Sequence, residues 1–230
     1  MITEYSTQKV LELACCAQRT NGSYLKEAEY RHDINGKFLF VKHTNKDLIR
    51  HSLGQLKYDH TEQEFRPVDL FLNTEDTEEA YRVRKYFRKL IFSAVAGTNE
   101  FETEVNALLE SETVPGNKIG YIACLPSIYQ RERAKTALKQ SLAECINDKI
   151  ADPGTVLFDK DCEVIQVTRS KNFDAWNVLA IIENKIVGWM SNQKITTGPA
   201  VVIKAKVKDI GRNYQTDKIQ TRLHYVKVAQ

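Results

Sequence analysis

Along the first 150 residues apolar side chains recur every three or four positions, whereas beyond residue 154 they alternate with polar ones. The first spacing is typical of helices that bury one face, and the second of strands that bury one face. Asp152-Pro153-Gly154 separates the two patterns, and proline and glycine interrupt regular structure. We therefore predict an α+β protein, with a mostly helical domain over 1–150 and a β domain over 151–230.

The N-terminal domain is expected to combine several helices with one small β-hairpin. The helices are predicted over about 6–20, 44–56, 75–96, around 101–109 and from Pro126 onward. The segment 75–96 is acidic in its first turn and basic later, as the helix dipole favours, and Gly97 would end it. Asn35-Gly36 lies between extended segments, which predicts a hairpin over about 28–42. The last helix is expected to turn the following residues inward: Ile128, Ala134, Leu138, Leu142 and Ile146.

The alternation in the C-terminal domain predicts five strands. They are expected over about 161–169, 176–183, 186–190, 200–209 and 219–228. Five strands in about seventy residues match the size of an OB-like β-barrel, a fold that commonly holds oligonucleotides on its loops after strands one and four. The predicted fold is thus a helical domain with a hairpin insertion, followed by a five-stranded OB-like barrel.

The fourth predicted strand has a cationic face and an apolar face. Its run is Val201-Val202-Ile203-Lys204-Ala205-Lys206-Val207-Lys208. Successive side chains of a strand point to opposite sides, so the three lysines share one side, and Ile203, Ala205 and Val207 share the other. A lysine face of this kind binds phosphates, but lysines also protect an exposed strand edge from aggregation. The strand alone therefore does not decide between binding and solvation.

The distribution of charge favours binding. The whole chain carries a formal net charge of +3, and residues 151–230 contain twelve Lys and Arg against eight Asp and Glu. The excess is concentrated further over 194–230, where eight basic residues face two acidic ones. A positive surface confined to one domain is typical of proteins that contact phosphates.

The predicted loops after strands one and four both contain basic residues and an aromatic ring. Unpaired nucleotides require this combination. Phe173 and Tyr214 are expected at loop tips, where a large ring has little packing to do, while Trp189 is interpreted as a core residue. The candidate nucleic-acid-binding residues are Arg169, Lys171, Phe173, Trp176, Lys204, Lys206, Lys208, Arg212, Tyr214, Lys218 and Arg222.

The C-terminal third also resembles a known group of proteins. The segments that carry the resemblance are Trp176-Asn177-Val178-Leu179, Val187-Gly188-Trp189-Met190-Ser191, 198–209 and 220–227. In their order they look like the OB-like C-terminal unit of small, poorly characterised bacteriophage proteins. The resemblance implies a nucleic-acid-binding barrel that acts in phage DNA replication, recombination or repair. It implies no catalytic residue.

Two other functions remain open. The near-neutral helical domain is suited to bind a host or replisome protein. The basic side chains of the 75–96 helix could also contact phosphates, although a solvated face is the simpler interpretation. Asp174, Glu183 and Lys185 match the two carboxylates and lysine of a Mg²⁺-dependent nuclease, but Lys185 is better interpreted as part of a hairpin tip.

The remaining chemistry-bearing residues predict no cofactor and no metal. The five cysteines are scattered and without paired spacing, so they are expected to be reduced and mostly buried. Four of the five histidines, His32, His43, His51 and His60, fall in one short stretch without ligand spacing. No apolar run approaches the roughly 18 residues of a membrane span, and Met1–Tyr5 does not begin a signal peptide. We expect a cytoplasmic protein, in the host cytoplasm if phage-encoded, whose oligomeric state the sequence leaves open.

Overall fold

The computed structural model describes residues 3–56, 66–93 and 100–230. The chain divides into a helical unit, Met1–Glu132, and a barrel unit, Arg133–Gln230. The division falls within a helix, before the Asp152-Pro153-Gly154 break at which the sequence pattern changes. Residues 133–150 therefore belong to the barrel unit by their contacts. No helix among the described residues has the length and apolar character needed to cross a membrane.

The helices confirm the predicted periodicity. They are α1 (Thr7–Asn21), α2 (Asn45–Ser52), α3 (Thr74–Ser93), α4 (Glu100–Glu110), α5 (Ile119–Ala123) and α6 (Leu125–Glu144). Ser6 caps the start of α1, and Gly22 ends that helix in the left-handed conformation that glycine adopts easily. Thr44 caps α2 by accepting from the Asp47 amide at 3.0 Å. The predicted stop at Gly97 lies outside the described residues.

The helical unit is built on a core between its helices. Its fully buried side chains come mainly from α1, α2, α4 and α5, with Ala80 and Val83 contributed by α3. Asp76 joins α3 to α1, because it caps α3 reciprocally with Asn73 and accepts two hydrogen bonds from Arg19 at 2.7 and 3.0 Å. Burial alone would raise the pKa of Asp76, but the Arg19 and Asn73 hydrogen bonds outweigh it and hold that pKa below its usual range.

The helical unit also contains two small antiparallel sheets. The predicted hairpin is present as β2 (Glu29–His32) and β3 (Phe38–Lys42). The other sheet pairs β1 (Glu4–Ser6) with β4 (Thr113–Pro115), two strands that the sequence pattern does not predict. Three-residue strands have too little alternation to be recognised from sequence. The short helix α5 is also missed, because five residues are too few to show a helical period.

The barrel unit contains all five predicted strands. They are β5 (Val156–Arg169), β6 (Trp176–Ile182), β7 (Lys185–Ser191), β8 (Gly198–Arg212) and β9 (Ile219–Ala229). They close into a barrel in the order β5-β6-β7-β9-β8, in which only the β7–β9 pair is parallel. The first four strands thus lie in the spatial order 4-1-2-3, which is a Greek key. The barrel is filled by alternate side chains, among them Val164, Val178, Val202 and Trp189, which is buried as predicted.

The second half of α6 covers the outer surface of β6 and β7. Leu179 lies between the inward-facing Val178 and Ala180, so it points out of the barrel, and yet it is buried. Leu142 and Cys145 pack on Leu179 and Ile186 in a separate apolar cluster, with Leu138, Ile165 and Ile181 at its edge. Two residues predicted to face inward differ. Ala134 is exposed because it lies on a side of α6 that is not covered, and Ile146 is exposed because it lies beyond the end of the helix, in a bridge to Lys185.

Candidate nucleic-acid interface

The loop between β5 and β6, residues 170–175, presents an exposed ring on a braced turn. The Ser170 amide donates to the Ala175 carbonyl at 2.9 Å, and Arg169 forms an ion pair with Asp174 across the loop. Phe173 at its tip is 64% exposed. Trp176 is half-buried at the start of β6, where the Arg169 guanidinium lies 5.2 Å and the Lys194 ammonium 5.5 Å from its ring. The ring of Trp176 therefore already has two cations beside it.

The loop between β8 and β9, residues 213–218, is organised by the buried Asn213. Its side-chain oxygen accepts from the amides of Gln215 and Thr216 at 3.0 and 3.2 Å, which holds the turn in one conformation. This fixed turn leaves Tyr214 85% exposed. Gln215 donates to Gln166 of β5 at 3.3 Å, so the loop folds back onto the barrel.

Four of the predicted binding cations have partners within the protein. Arg169, Arg212 and Arg222 form ion pairs with Asp174, Asp217 and Asp209. The Lys218 ammonium donates to the Ala143 and Cys145 carbonyls at the C-terminal end of α6. The three ion pairs are exposed and contribute little, so a phosphate could displace their carboxylates. Lys218 has a structural role, because it satisfies carbonyls that the helix end leaves without partners.

The predicted lysines of β8 are different, because they have no such partners. Lys204, Lys206 and Lys208 are exposed, and within the described ranges they form no ion pair; the same is true of Lys171. Ala205 and Val207 face the core as predicted, but Ile203 is 45% exposed. The register of β8 against β9 shifts between Val202 and Lys204, which turns Ile203 to the outside. The outer face of β8 therefore carries an apolar residue in addition to its lysines.

Neighbouring strands extend this outer face. Phe158 of β5 lies opposite Lys204, which lies opposite Lys227 of β9. One row further along, Val156, Lys206 and His224 pair in the same way. Directly opposite residues share a face of a sheet, so the two rows form one surface. We call it the strand-face patch, and it comprises Val156, Phe158, Ile203, Lys204, Lys206, His224, Tyr225 and Lys227.

The strand-face patch contains rings that sequence reasoning missed. Phe158 is 56% exposed and Tyr225 is 79% exposed. Phe158 was missed because the first barrel strand begins at Val156, five positions before its predicted start. The available signal was the alternation of Val156-Leu157-Phe158, in which Leu157 is buried and its neighbours are exposed. Tyr225 has a φ of 53°, a local bulge that alternation does not predict.

The two loops and the patch are not one continuous set. Phe173 follows the C-terminal end of β5, whereas Val156 and Phe158 lie at its N-terminal end. The predicted site residues therefore divide between the loop 170–175, the loop 213–218 and the patch. The outer face of β6 and β7 is largely closed to a ligand, because α6 covers it.

The structure does not bring the predicted nuclease residues together. Asp174 and Glu183 flank opposite ends of the seven-residue strand β6, about 20 Å apart at the usual rise of a strand. Glu183 is held at 2.5 Å by Lys160, whose hydrogen bond lowers the pKa of that carboxyl. Lys185 is occupied by the Lys149 carbonyl and by Asp148. Each of the three side chains is thus paired with a residue outside the predicted nuclease set.

Two of the arginines on α3 likewise have partners within the protein. Arg82 pairs with Glu78 and Glu79, and Arg84 donates to the Leu109 carbonyl at 2.8 Å.

All five cysteines are free, four of them are buried as predicted, and burial raises the pKa of every thiol. Among the described residues no three His, Cys, Asp or Glu side chains meet as metal ligands would; His60 lies outside those residues.

Comparison with known proteins adds no relative. No protein-family model, no curated protein and no solved structure matches this chain. The geometry of the barrel unit and the chemistry on its surface therefore carry the functional inference.

Proposed function

We propose that the barrel unit is an OB-like barrel that binds single-stranded nucleic acid, with DNA as the favoured ligand, and that it does so without catalysis. The architecture supports the first part of this proposal. Five strands in a closed Greek-key arrangement are what an OB-like barrel contains. Such barrels bind oligonucleotides through a basic groove and exposed rings.

The observation that carries the proposal is the row of unpaired lysines on the outer side of the barrel. Lys204, Lys206 and Lys208 of β8 and Lys227 of β9 lie within one sheet, and no carboxylate among the described residues neutralises them. An unpaired ammonium surrounded by water and counterions gains free energy by releasing those ions to a phosphate backbone. An arginine that already has a carboxylate partner gains less.

The biological role follows from the ligand. The resemblance of the C-terminal third to bacteriophage proteins supports an accessory role in phage DNA replication, recombination or repair. A protein with that role acts where the DNA is, which is the host cytoplasm. The exposed rings of Phe173 and Tyr214 support a single strand over a duplex, because stacking requires the face of an unpaired base.

The salt dependence of binding tests this proposal. The protein is titrated against a labelled oligothymidylate at several salt concentrations, with a duplex and an oligouridylate as parallel ligands. If four lysines contact phosphates, the logarithm of the association constant should fall with the logarithm of salt with a slope of about −3. Lys206→Glu should weaken binding, and Tyr214→Ala should weaken it for single strands only. No binding at low salt, or an affinity independent of salt, would refute the proposal.

A second function is favoured by one observation in the helical unit. The hairpin β2–β3 is a two-stranded sheet that exposes apolar side chains to water, namely Tyr30, Ile34, Leu39 and Phe40. Such a hairpin is only marginally stable by itself, and a partner protein that covered it would remove this apolar surface from water. We propose this hairpin as the docking site if the chain binds a host or replisome protein.

A nuclease-treated lysate distinguishes this second function. Tagged protein should then retain a specific partner, and Phe40→Ser combined with Leu39→Ser should abolish retention, because the apolar contact area is lost. Lys204→Ala is the matched control, since it removes a nucleic-acid contact and leaves the hairpin intact. Retention that is lost with nuclease alone, or that survives the hairpin variant, contradicts docking at the hairpin.

A further inference from the structure

We propose that the strand-face patch is the stacking surface for single-stranded nucleic acid, with Phe158 and Tyr225 as the base-stacking rings and the lysines between them as phosphate contacts. This inference rests on the proposed function and assigns it to a particular side of the barrel. It adds two residues that neither loop contains.

The first observation is the exposure of two rings within barrel strands. An aromatic side chain in a strand normally packs on a core or a partner, and Phe158 and Tyr225 are each more than half exposed. Each ring has a neighbouring side chain within the patch. The Lys204 ammonium lies 5.7 Å from the Phe158 ring, and the His224 ring lies 4.4 Å from that of Tyr225. One face of each ring therefore has a neighbour, and a base stacked on the exposed side would sandwich the ring.

The second observation is the backbone beside each ring. Tyr225 has a φ of 53°, and Asp159, directly after Phe158, has a φ of 45°. Non-glycine residues rarely adopt this left-handed region, and a bulky tyrosine there is conformationally unfavourable. At Tyr225 the β8–β9 register also shifts, between Lys204 and Lys206, and a shift of this kind redirects a side chain away from its regular position in the strand. A left-handed residue thus lies at one ring and directly after the other.

The spacing of the rings explains why the ligand would be a single strand. Phe158 lies on β5 and Tyr225 on β9, with β8 between them, so their strands are about 10 Å apart. Lys204 and Lys206 occupy the strand in the middle. A chain that crosses β8 could stack one base on each ring while its backbone passes the lysines. A duplex could not, because its bases cover each other's faces.

The third observation is the cover on the opposite side of the barrel. The outer face of β6 and β7 is occupied by Leu142 and Cys145 of the α6 region. The patch is the exposed strand surface of the barrel in which aromatic rings and unpaired lysines occur together. Charge complementarity thus selects a polyanion with unpaired bases as its occupant.

Alanine substitutions of the full-length protein test the assignment. The probe is a labelled oligothymidylate of about 16 nucleotides, the upper end of the site sizes of such barrels. Phe158→Ala and Tyr225→Ala should each raise Kd by about 5- to 150-fold, the loss expected for one stacked base, with the salt slope unchanged. Binding of a duplex should not change. An oligouridylate series run in parallel assigns the ligand to RNA if the losses are larger there, and either result supports stacking.

The comparison variants are Phe173→Ala and Tyr214→Ala, which remove similarly exposed rings from the two loops and so measure the loop contribution of the proposed function separately from that of the patch. A thermal unfolding curve for each variant should equal that of the wild type, since none of the four rings is in the core. If the wild-type protein binds and the loop variants lose affinity while the patch variants do not, this inference is overturned and the proposed function stands. If the wild-type protein binds no single strand at all, both are overturned.

Discussion

Replacing Lys204, Lys206 and Lys208 together by alanine is expected to weaken the binding of a single-stranded oligonucleotide about 500-fold at about 50 mM salt. Each phosphate contact of a single strand contributes about 0.7 to the salt slope, so the triple variant should also have a slope smaller by about 2. The lysines are exposed, so the fold should be retained. Fluorescence anisotropy across a salt series measures both quantities.

The matched control for this variant removes the same type of charge from cations that have partners. Arg212→Ala and Arg222→Ala each release a carboxylate, Asp217 or Asp209, that the guanidinium had neutralised. If these arginines stay with their carboxylates when nucleic acid binds, their loss should change the slope by much less than one phosphate contact. An equal effect of lysine and arginine variants would mean that the ion pairs open on binding. Unpaired lysines would then bind phosphates no better than paired arginines do.

The sequence predicted the strands well for two reasons. β6 and β7 are recognisable as short apolar runs, because both of their faces are largely buried. In β8 and β9 one face is buried and the other exposed, so alternation of period two is visible without any knowledge of their partners. It failed where two strands shift register, since a bulge depends on both strands and not on one. Ile203 is the example, because alternation assigned it to the core and the shift between Val202 and Lys204 exposes it.

The candidate site was predicted less completely, for a related reason. Positive charge and rings are visible in the sequence, but the partner of each cation is not. Arg169 and Arg212 each pair with an aspartate five residues later, across a loop, and this repeated spacing was a usable signal in retrospect. Lys218 gave no such signal, since its partners are backbone carbonyls more than seventy positions away.

The boundary between the two units shows a further limit of the sequence. Leu138 and Leu142 have the spacing of a buried helix face, but spacing does not identify what the face packs against. The structure shows that they pack on the outside of β6 and β7. The predicted boundary at residue 150 follows the change of period, whereas the contacts group residues 133–150 with the barrel.

Leu142→Ala is accordingly expected to destabilise the barrel unit by about 2 to 5 kcal/mol. Leu142 is fully buried between the α6 region and the barrel, so its loss removes apolar contact and leaves a cavity beside Leu179 and Ile186. Urea unfolding followed by the fluorescence of Trp189, which is in the barrel core, reports on this unit. Lys139→Ala is the control on an exposed position of the same helix and should leave the midpoint unchanged. An unchanged midpoint for Leu142→Ala would show that α6 does not stabilise the barrel.

Fragments extend this test to the whole covering segment. A fragment over 133–230 is expected to unfold cooperatively, whereas a fragment over 151–230 should be unfolded or aggregated. The shorter fragment exposes Leu179 and Ile186, and it also removes backbone partners of the strands. The Ile146 amide donates to the Asn184 carbonyl at 2.8 Å, and the Ile150 amide donates to Thr221 at 3.1 Å. Apolar cover and hydrogen bonds are lost together in the shorter fragment, so its loss of stability should exceed that of Leu142→Ala. The barrel would then depend on a helix that the change of sequence pattern assigns to the other domain.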